Sequence, residues 1–172
     1  IPVDIGKNQI LFSNGIVEES MLLANECVGR FCAKNNLSVL YRVHAPPSES
    51  KLQNIKKLYN IVGFDHGLSK QKVSLKDLQK LITMTNDTDK SALVSKMVLR
   101  SMSRAEYTPN DVGHYGLSQI SYLHFTSPIR RFPDLLVHRA VKKKIKKGET
   151  VAISLGERED LDELGRFLSG RE

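Results

Sequence analysis

The chain has 172 residues, 40% of them hydrophobic, and a formal net charge of +7, which is enough material for one domain with its own core. It shows neither a basic leader followed by an apolar stretch nor any long uninterrupted apolar run. Secretory and membrane-spanning classes therefore have no support, and a soluble, cytoplasmic protein is expected. Cys27 and Cys32 lie five positions apart on one predicted helix and point in different directions, which favours reduced thiols over a disulfide framework or a metal site.

In chain order, IPVDIGKNQILF has short β-compatible stretches that look like the tail of a sheet, and Asn14-Gly15 predicts a turn. From Ile16 to about Lys34, apolar residues recur at Val17, Met21, Ala24, Val28 and Phe31 with the period of an amphipathic helix. Glu18 and Glu19 would fall in its first turn, where negative charge suits the helix dipole. Val39 to His44 is rich in β-branched and aromatic residues and is stopped by Pro46-Pro47, so it reads as a strand with Arg42 and His44 on one face.

Three helices follow. Ser48 precedes Leu52, Ile55, Leu58 and Val62, and the pair Ser74 and Asp77 forms a capping box ahead of Leu75, Leu78 and Leu81. Asp89 is the expected cap of the third, which carries Leu93, Met97, Val98 and Met102. Tyr107 to Gly116 reads as a loop and Ile120 to Phe125 as extended. A helix after Pro133 is expected to bury Leu136, Val137, Ala140, Val141 and Ile145. A break at residues 148 to 157 and a last helix from Leu161 complete the reading.

The charge is concentrated. Between Arg130 and Lys147 there are eight Lys and Arg against Asp134 alone, a surplus of seven that equals the whole net charge. Such a stripe is an electrostatic footprint for a polyanion, although a lysine-rich solvated helix face would have the same composition. It follows HFTSPIRRFPD, in which Ser127-Pro128 has the form of an N-cap and a first-turn proline. Arg130 and Arg131 would then lie in a first turn, where cations oppose the dipole unless an anion sits between them. The motif therefore suits phosphate; pairing with surface carboxylates is the alternative.

The segment GHYGLSQISYLHFTSPIRRFPDLLVHRAV (Gly113 to Val141) resembles the signature of the RNB exoribonuclease family. The likeness extends upstream, in the family's order, through SNGIVEESMLLANE, LYRVHAPPSESKL and RAEYTP. Pro133 and the VHR at Val137 to Arg139 are nearer the ribonuclease R branch than the ribonuclease II branch. The resemblance implies an α+β fold, mostly helical, whose few strands complete a mixed sheet within an RNB catalytic domain. It also implies magnesium-dependent 3′-to-5′ hydrolysis of single-stranded RNA to nucleoside 5′-monophosphates.

Carried over by motif, Arg130 would bind the scissile phosphate, and Glu18 or Glu19 would recognise the terminal nucleotide. Ser127, Arg131, Tyr115, His124, Arg139, Lys142 and Lys143 are the further expected RNA contacts. His44, His114, His124 and His138 are expected to be structural or RNA-contacting rather than acid–base groups. Tyr115 and Tyr122 could stack bases, whereas Phe125 and Phe132 are expected in the core.

The sequence also departs from the family. Its run of magnesium-binding aspartates has no counterpart here, and Asn86-Asp87-Thr88-Asp89 is a poor imitation. The family's base-stacking tyrosine, a further active-site glutamate, and the cold-shock and S1 domains are likewise missing. Residues 1–172 are thus expected to be the second half of an RNB catalytic domain, inactive alone, with Mg2+ held by ligands outside this chain. Self-association through surfaces left uncovered is a further expectation. The alternatives are a non-catalytic RNA-binding module of the same family and a basic helical scaffold for protein partners.

Overall fold

A computed structural model of the chain describes residues 11–62, 74–147 and 155–171. The sheet-like tail expected at residues 1–10 and the break expected from residue 148 to residue 154 lie outside the described residues.

The first helix, α1 (Phe12–Lys34), starts four residues earlier than predicted and absorbs Asn14-Gly15 instead of turning there. Asn14 is the reason. Its side chain accepts from the Leu11 N–H at 3.0 Å, while its own N–H donates to the Leu11 carbonyl at 3.0 Å, so the residue closes the first turn from both sides. Glu18 and Glu19 consequently fall in the second turn, and no acid occupies the first. The dipole explanation for them does not hold.

The buried face of α1 also differs from the predicted stripe. Val17 and Phe31 are exposed, and the helix buries Asn25, Gly29 and Cys32. What it packs against explains the choice. A Cβ at Gly29 would stand 3.2 Å from the Ser121 carbonyl oxygen, so the absent side chain lets α1 approach that backbone. Phe12, Ile16 and Leu23, which share the opposite side, remain exposed.

Strand β1 (Tyr41–His44) is preceded by the buried Val39 and Leu40. It pairs antiparallel with β2 (Ala105–Thr108), Tyr41 opposite Thr108 and His44 opposite Ala105. The loop expected from Tyr107 would begin inside β2. AEYT lacks a strong alternating pattern and is made a strand by its neighbours: β1 on one side, and α6 (Leu155–Arg171) across it. The Tyr107 N–H donates to Ser169 Oγ of α6 at 2.8 Å. α6 begins at Leu155, inside the stretch read as a break and ahead of the expected Leu161.

The three middle helices form in the predicted order. α2 (Glu49–Val62) starts after Ser48, whose carbonyl accepts from the Leu52 N–H. α3 (Leu75–Thr85) opens on the Ser74–Asp77 capping box. α4 (Ser91–Ser101) is led by Lys90 rather than Asp89, and buries Val94 and Val98 while Leu93 is exposed. Ile55, Leu78, Leu81, Val94 and Val98 make the core of this three-helix unit.

A second core contains Cys32, Val39, Tyr41, Val43, Leu123 and Val137 and joins α1, β1, the chain around Leu123, and α5 (Phe132–Lys147). On α5, Asp134 and Val137 are fully buried, whereas Ile145, expected inside, is 72% exposed, and Phe132 is also exposed. The architecture is α+β and mostly helical, as expected, with the two described strands paired to each other.

α6 meets β2 at Gly165, where an added Cβ would lie 2.5 Å from the Tyr107 carbonyl oxygen. Gly165→Ala should therefore destabilise the chain by about 1–3 kcal/mol, lowering Tm by roughly 3–10 °C. Gly15→Ala, at a helical position with nothing within 4 Å, should leave Tm unchanged or raise it slightly. Equal melting curves for the two variants would contradict this packing.

Candidate functional site

From Ser121 to Phe125 the backbone has no regular secondary structure, yet it is held from three sides. The Arg42 N–H of β1 donates to the Tyr122 carbonyl at 2.9 Å. From α1, Asn25 Nδ2 donates to the Tyr122 hydroxyl at 3.1 Å, and Asn25 Oδ1 accepts from the Phe125 N–H at 2.9 Å. From α5, His138 Nε2 donates to the Phe125 carbonyl at 2.9 Å, and its ring stacks on Phe125 with centroids 4.0 Å apart. Leu123, in the middle, is fully buried. The chain thus enters the arginine loop with little freedom left.

The loop is not the helical first turn that the sequence predicts. Residues 128–130 form a turn in which the N–H groups of Arg130 and Arg131 both reach the Ser127 carbonyl, at 3.3 and 3.1 Å, and α5 begins only at Phe132. Pro133 fits there because a first-turn residue needs no N–H partner within the helix. With both backbone N–H groups engaged, Arg130 has its guanidinium to offer an anion.

Asp134 closes the turn from within. It is fully buried, and its Oδ1 accepts from the Ser127 N–H at 2.8 Å and from Arg131 Nη2 at 2.9 Å. The two arginines are thereby separated. Arg131 is half-buried and folds back on Asp134, while Arg130 is exposed and has no ion pair or side-chain hydrogen bond among the described residues. Ile129 beside it is fully exposed.

The other expected contacts are distributed around this loop. Ser127 is half-buried, its N–H committed to Asp134. Arg139, Lys142 and Lys143 are exposed on α5, at the three- and four-residue spacing of one helix face, away from the buried Val137. Glu18 and Glu19 are both exposed, but they differ in direction. Glu18 stands seven residues before Asn25 and so shares the face of α1 that meets Tyr122. Glu19 aligns instead with Glu26, which pairs with Arg30. Tyr115 opens a short 3-10 helix and packs, half-buried, on the core of the three-helix unit. His124 Nδ1 lies 2.9 Å from the Tyr107 hydroxyl.

Asp134 and Asn25 are the residues that residue-by-residue reading missed as parts of the site, whereas His138 has a structural part in it. Asp134 looked like an ordinary first-turn acid, and Asn25 lies beside the predicted apolar stripe, on the face of α1 with Gly29 and Cys32. The available signal was a polar residue on the side of α1 that a helix must bury.

His44 lies in a ring cluster behind the loop. Its Nε2 donates to the Ser103 carbonyl at 2.7 Å and its Nδ1 accepts from the Gly116 N–H at 2.9 Å, so the geometry selects the neutral Nε2–H tautomer. His114 stacks on it at 5.1 Å and meets Tyr122 edge-on at 5.3 Å. Burial, and then the neighbouring His44 and Arg42, push the His114 imidazole down from 6.5 to about 4. A cavity of about 400 Å3, lined by His114, Tyr115, Ser74 and Gln119 among others, opens beside it.

Among the described residues, no three His, Cys, Asp or Glu side chains converge. The residues around the loop are cationic, which fits an anion and does not fit magnesium. No described helix is long and apolar enough to cross a membrane.

Among the described residues, the loop offers one arginine without an ion pair, and a row of cations lies further along the next helix, an arrangement whose charge suits a polyanion. Residues 1–147 match the RNB domain model, and the chain belongs to the RNB domain family. It is 38% identical to ribonuclease R of Aquifex aeolicus over 162 residues, which cover 91% of this chain and 22% of that protein. It is 41% identical to ribonuclease R of Vibrio cholerae over 136 residues, covering 78% and 16%. The chain thus spans about a fifth of the length of these relatives.

Solved structures share the fold. Mycoplasma genitalium RNase R in complex with ribose methylated single-stranded RNA superposes with a TM-score of 0.73 at 25% identity, covering 90% of this chain and 24% of that one. Yeast Ssd1, described as a pseudonuclease, superposes with a TM-score of 0.72 at 24% identity, covering 91% and 20%.

The lowered His114 value has a stability consequence. A histidine with a depressed folded pKa contributes stability that is fully present above its unfolded value of 6.5 and is lost as pH falls toward about 4. The Tm gap between the native chain and His114→Gln should be constant above pH 7 and change as pH falls from 6.5 to 4. A gap that stays constant throughout would contradict the assignment.

Proposed function

We propose that this chain is the phosphate-holding part of an exoribonuclease that degrades single-stranded RNA from its 3′ end to nucleoside 5′-monophosphates. The observation that carries the reading is the separation of the two arginines: Arg131 is taken by Asp134, and Arg130 is presented on a fixed turn without a partner among the described residues. Kinship with ribonuclease R supports RNA as the polyanion. Arg130 would hold the scissile phosphate and offset charge that develops on its oxygens. Arg139, Lys142 and Lys143 would follow the backbone of the strand, and Glu18, the better placed of the acidic pair, would contact the terminal nucleotide.

The family chemistry requires Mg2+, which would generate the attacking oxygen nucleophile at neutral pH. The described residues do not fit such an ion, and the sequence has no run of aspartates like the family's, which supports placing its ligands in parts of the protein outside this chain. On this reading the chain alone binds RNA without cutting it. A second reading, a non-catalytic RNA-binding module, is favoured by the shared fold with a protein described as a pseudonuclease. Arg130 has the same role in both; they differ in whether the complete protein cleaves.

The test is binding of a labelled oligoadenylate to the chain and to Arg130→Ala over a salt series, with magnesium and product analysis in the same samples. Arg130→Ala should weaken binding about tenfold and reduce the slope of log K against log salt by about 0.7. No monophosphate should appear. Unchanged affinity in Arg130→Ala would sink the phosphate assignment, and magnesium-dependent release of monophosphates by the pure chain would sink the placement of the metal ligands.

A further inference from the structure

We infer that Asp134 is a positioning residue for Arg130, setting the direction of the phosphate-binding guanidinium by holding the turn that carries it; the inference rests on the reading of Arg130 given above. Asp134 is fully buried and touches the loop at two places, the Ser127 N–H and Arg131 Nη2, both through the same oxygen, Oδ1. The Ser127 carbonyl in turn accepts the N–H groups of Arg130 and Arg131. One carboxylate oxygen therefore holds the residue at which the arginine turn opens, Ser127, and the side chain of the residue that follows the turn, Arg131.

Arg131 serves in this arrangement as a counter-ion. Its side chain is 19% exposed against 0% for Asp134, so the pair is shielded from solvent, and removing one partner leaves the other poorly matched. Arg130, one residue earlier, has no comparable tether among the described residues, which leaves its backbone turn to set its direction. Two adjacent arginines thus have opposite assignments, Arg131 inward to the fold and Arg130 outward to the ligand. Asp134 Oδ2 has no hydrogen-bond partner among the described residues, so the anchoring function resides in Oδ1, an acceptor that an asparagine carbonyl can replace.

That asymmetry makes the inference testable by sign. Asp134→Ala and Asp134→Asn both remove a negative charge near a polyanion site, and charge alone predicts tighter RNA binding by both, to the same degree. Positioning predicts that they diverge. With oligoadenylate as the probe, Asp134→Ala should bind about threefold to tenfold more weakly, and Asp134→Asn, which keeps the Oδ1 acceptor, should bind as well as the native chain or better. In an Arg130→Ala background the difference between the two should vanish, because the effect passes through Arg130.

Equal affinities for the Ala and Asn variants, or a difference that persists without Arg130, would overturn the inference. If Arg130→Ala alone leaves affinity unchanged, the phosphate reading fails instead. Should Asp134→Ala not fold, the native chain still decides. An arginine-selective dicarbonyl such as phenylglyoxal should modify Arg130 and spare Arg131, with oligoadenylate protecting Arg130. Equal labelling of the two, or protection of Arg131 by RNA, would overturn the assignment.

Discussion

The arginine loop depends on a buried carboxylate accepting two donors through one oxygen. Without Asp134 Oδ1 in place, the Ser127 N–H and the Arg131 guanidinium would both face the interior unpaired. Leaving such groups unsatisfied costs about 1–3 kcal/mol each. That cost is what keeps residues 127–131 in one conformation in a stretch with no regular hydrogen-bond ladder. The loop sits on a connector fixed by Asn25, Arg42 and His138, each from a different element. An exposed arginine that would otherwise lose considerable side-chain entropy on binding is thus held on an ordered backbone, which reduces the ordering left for the ligand to impose.

The sequence was legible where local chemistry decides and opaque where partners do. The Ser74–Asp77 box and the Leu78, Leu81 spacing give α3 without tertiary help. β2 was missed because AEYT becomes a strand through β1 and α6, and α6 begins in a stretch that had read as a break. The same limit explains α1. Periodicity found a helix, but its apolar stripe was misassigned because the face that packs inward is chosen by Asn25 and Gly29, a hydrogen-bonding residue and a void. A hydropathy pattern weighs neither.

The site divides similarly. Arg130 could be singled out from charge, prolines and resemblance, because the proposed role requires exposure and exposure agrees with its polarity. Arg131 has the same chemistry and one more position along the chain, and nothing in the pattern separates the two. What separates them is that Asp134 lies three residues after Arg131, on the inward side of a helix that starts at Phe132 rather than at Pro128. An error of a few residues in a helix boundary therefore changes the assignment of an arginine, not only the length of an element.

The histidines that invite an acid–base story have a different purpose. His44 donates to Ser103, just beyond α4, and accepts from Gly116, while its backbone N–H reaches Gly113 from β1. It is thus a joint between the three-helix unit and the core that carries the arginine loop, with Tyr115 packed on the helical side. A joint of this kind needs one donor and one acceptor at fixed positions, and only the neutral imidazole offers both. Protonation would turn the acceptor into a second donor, facing the Gly116 N–H. Burial holds the neighbouring His114 imidazole well below its ordinary range, which keeps a second cation away from this joint where two separately packed cores meet.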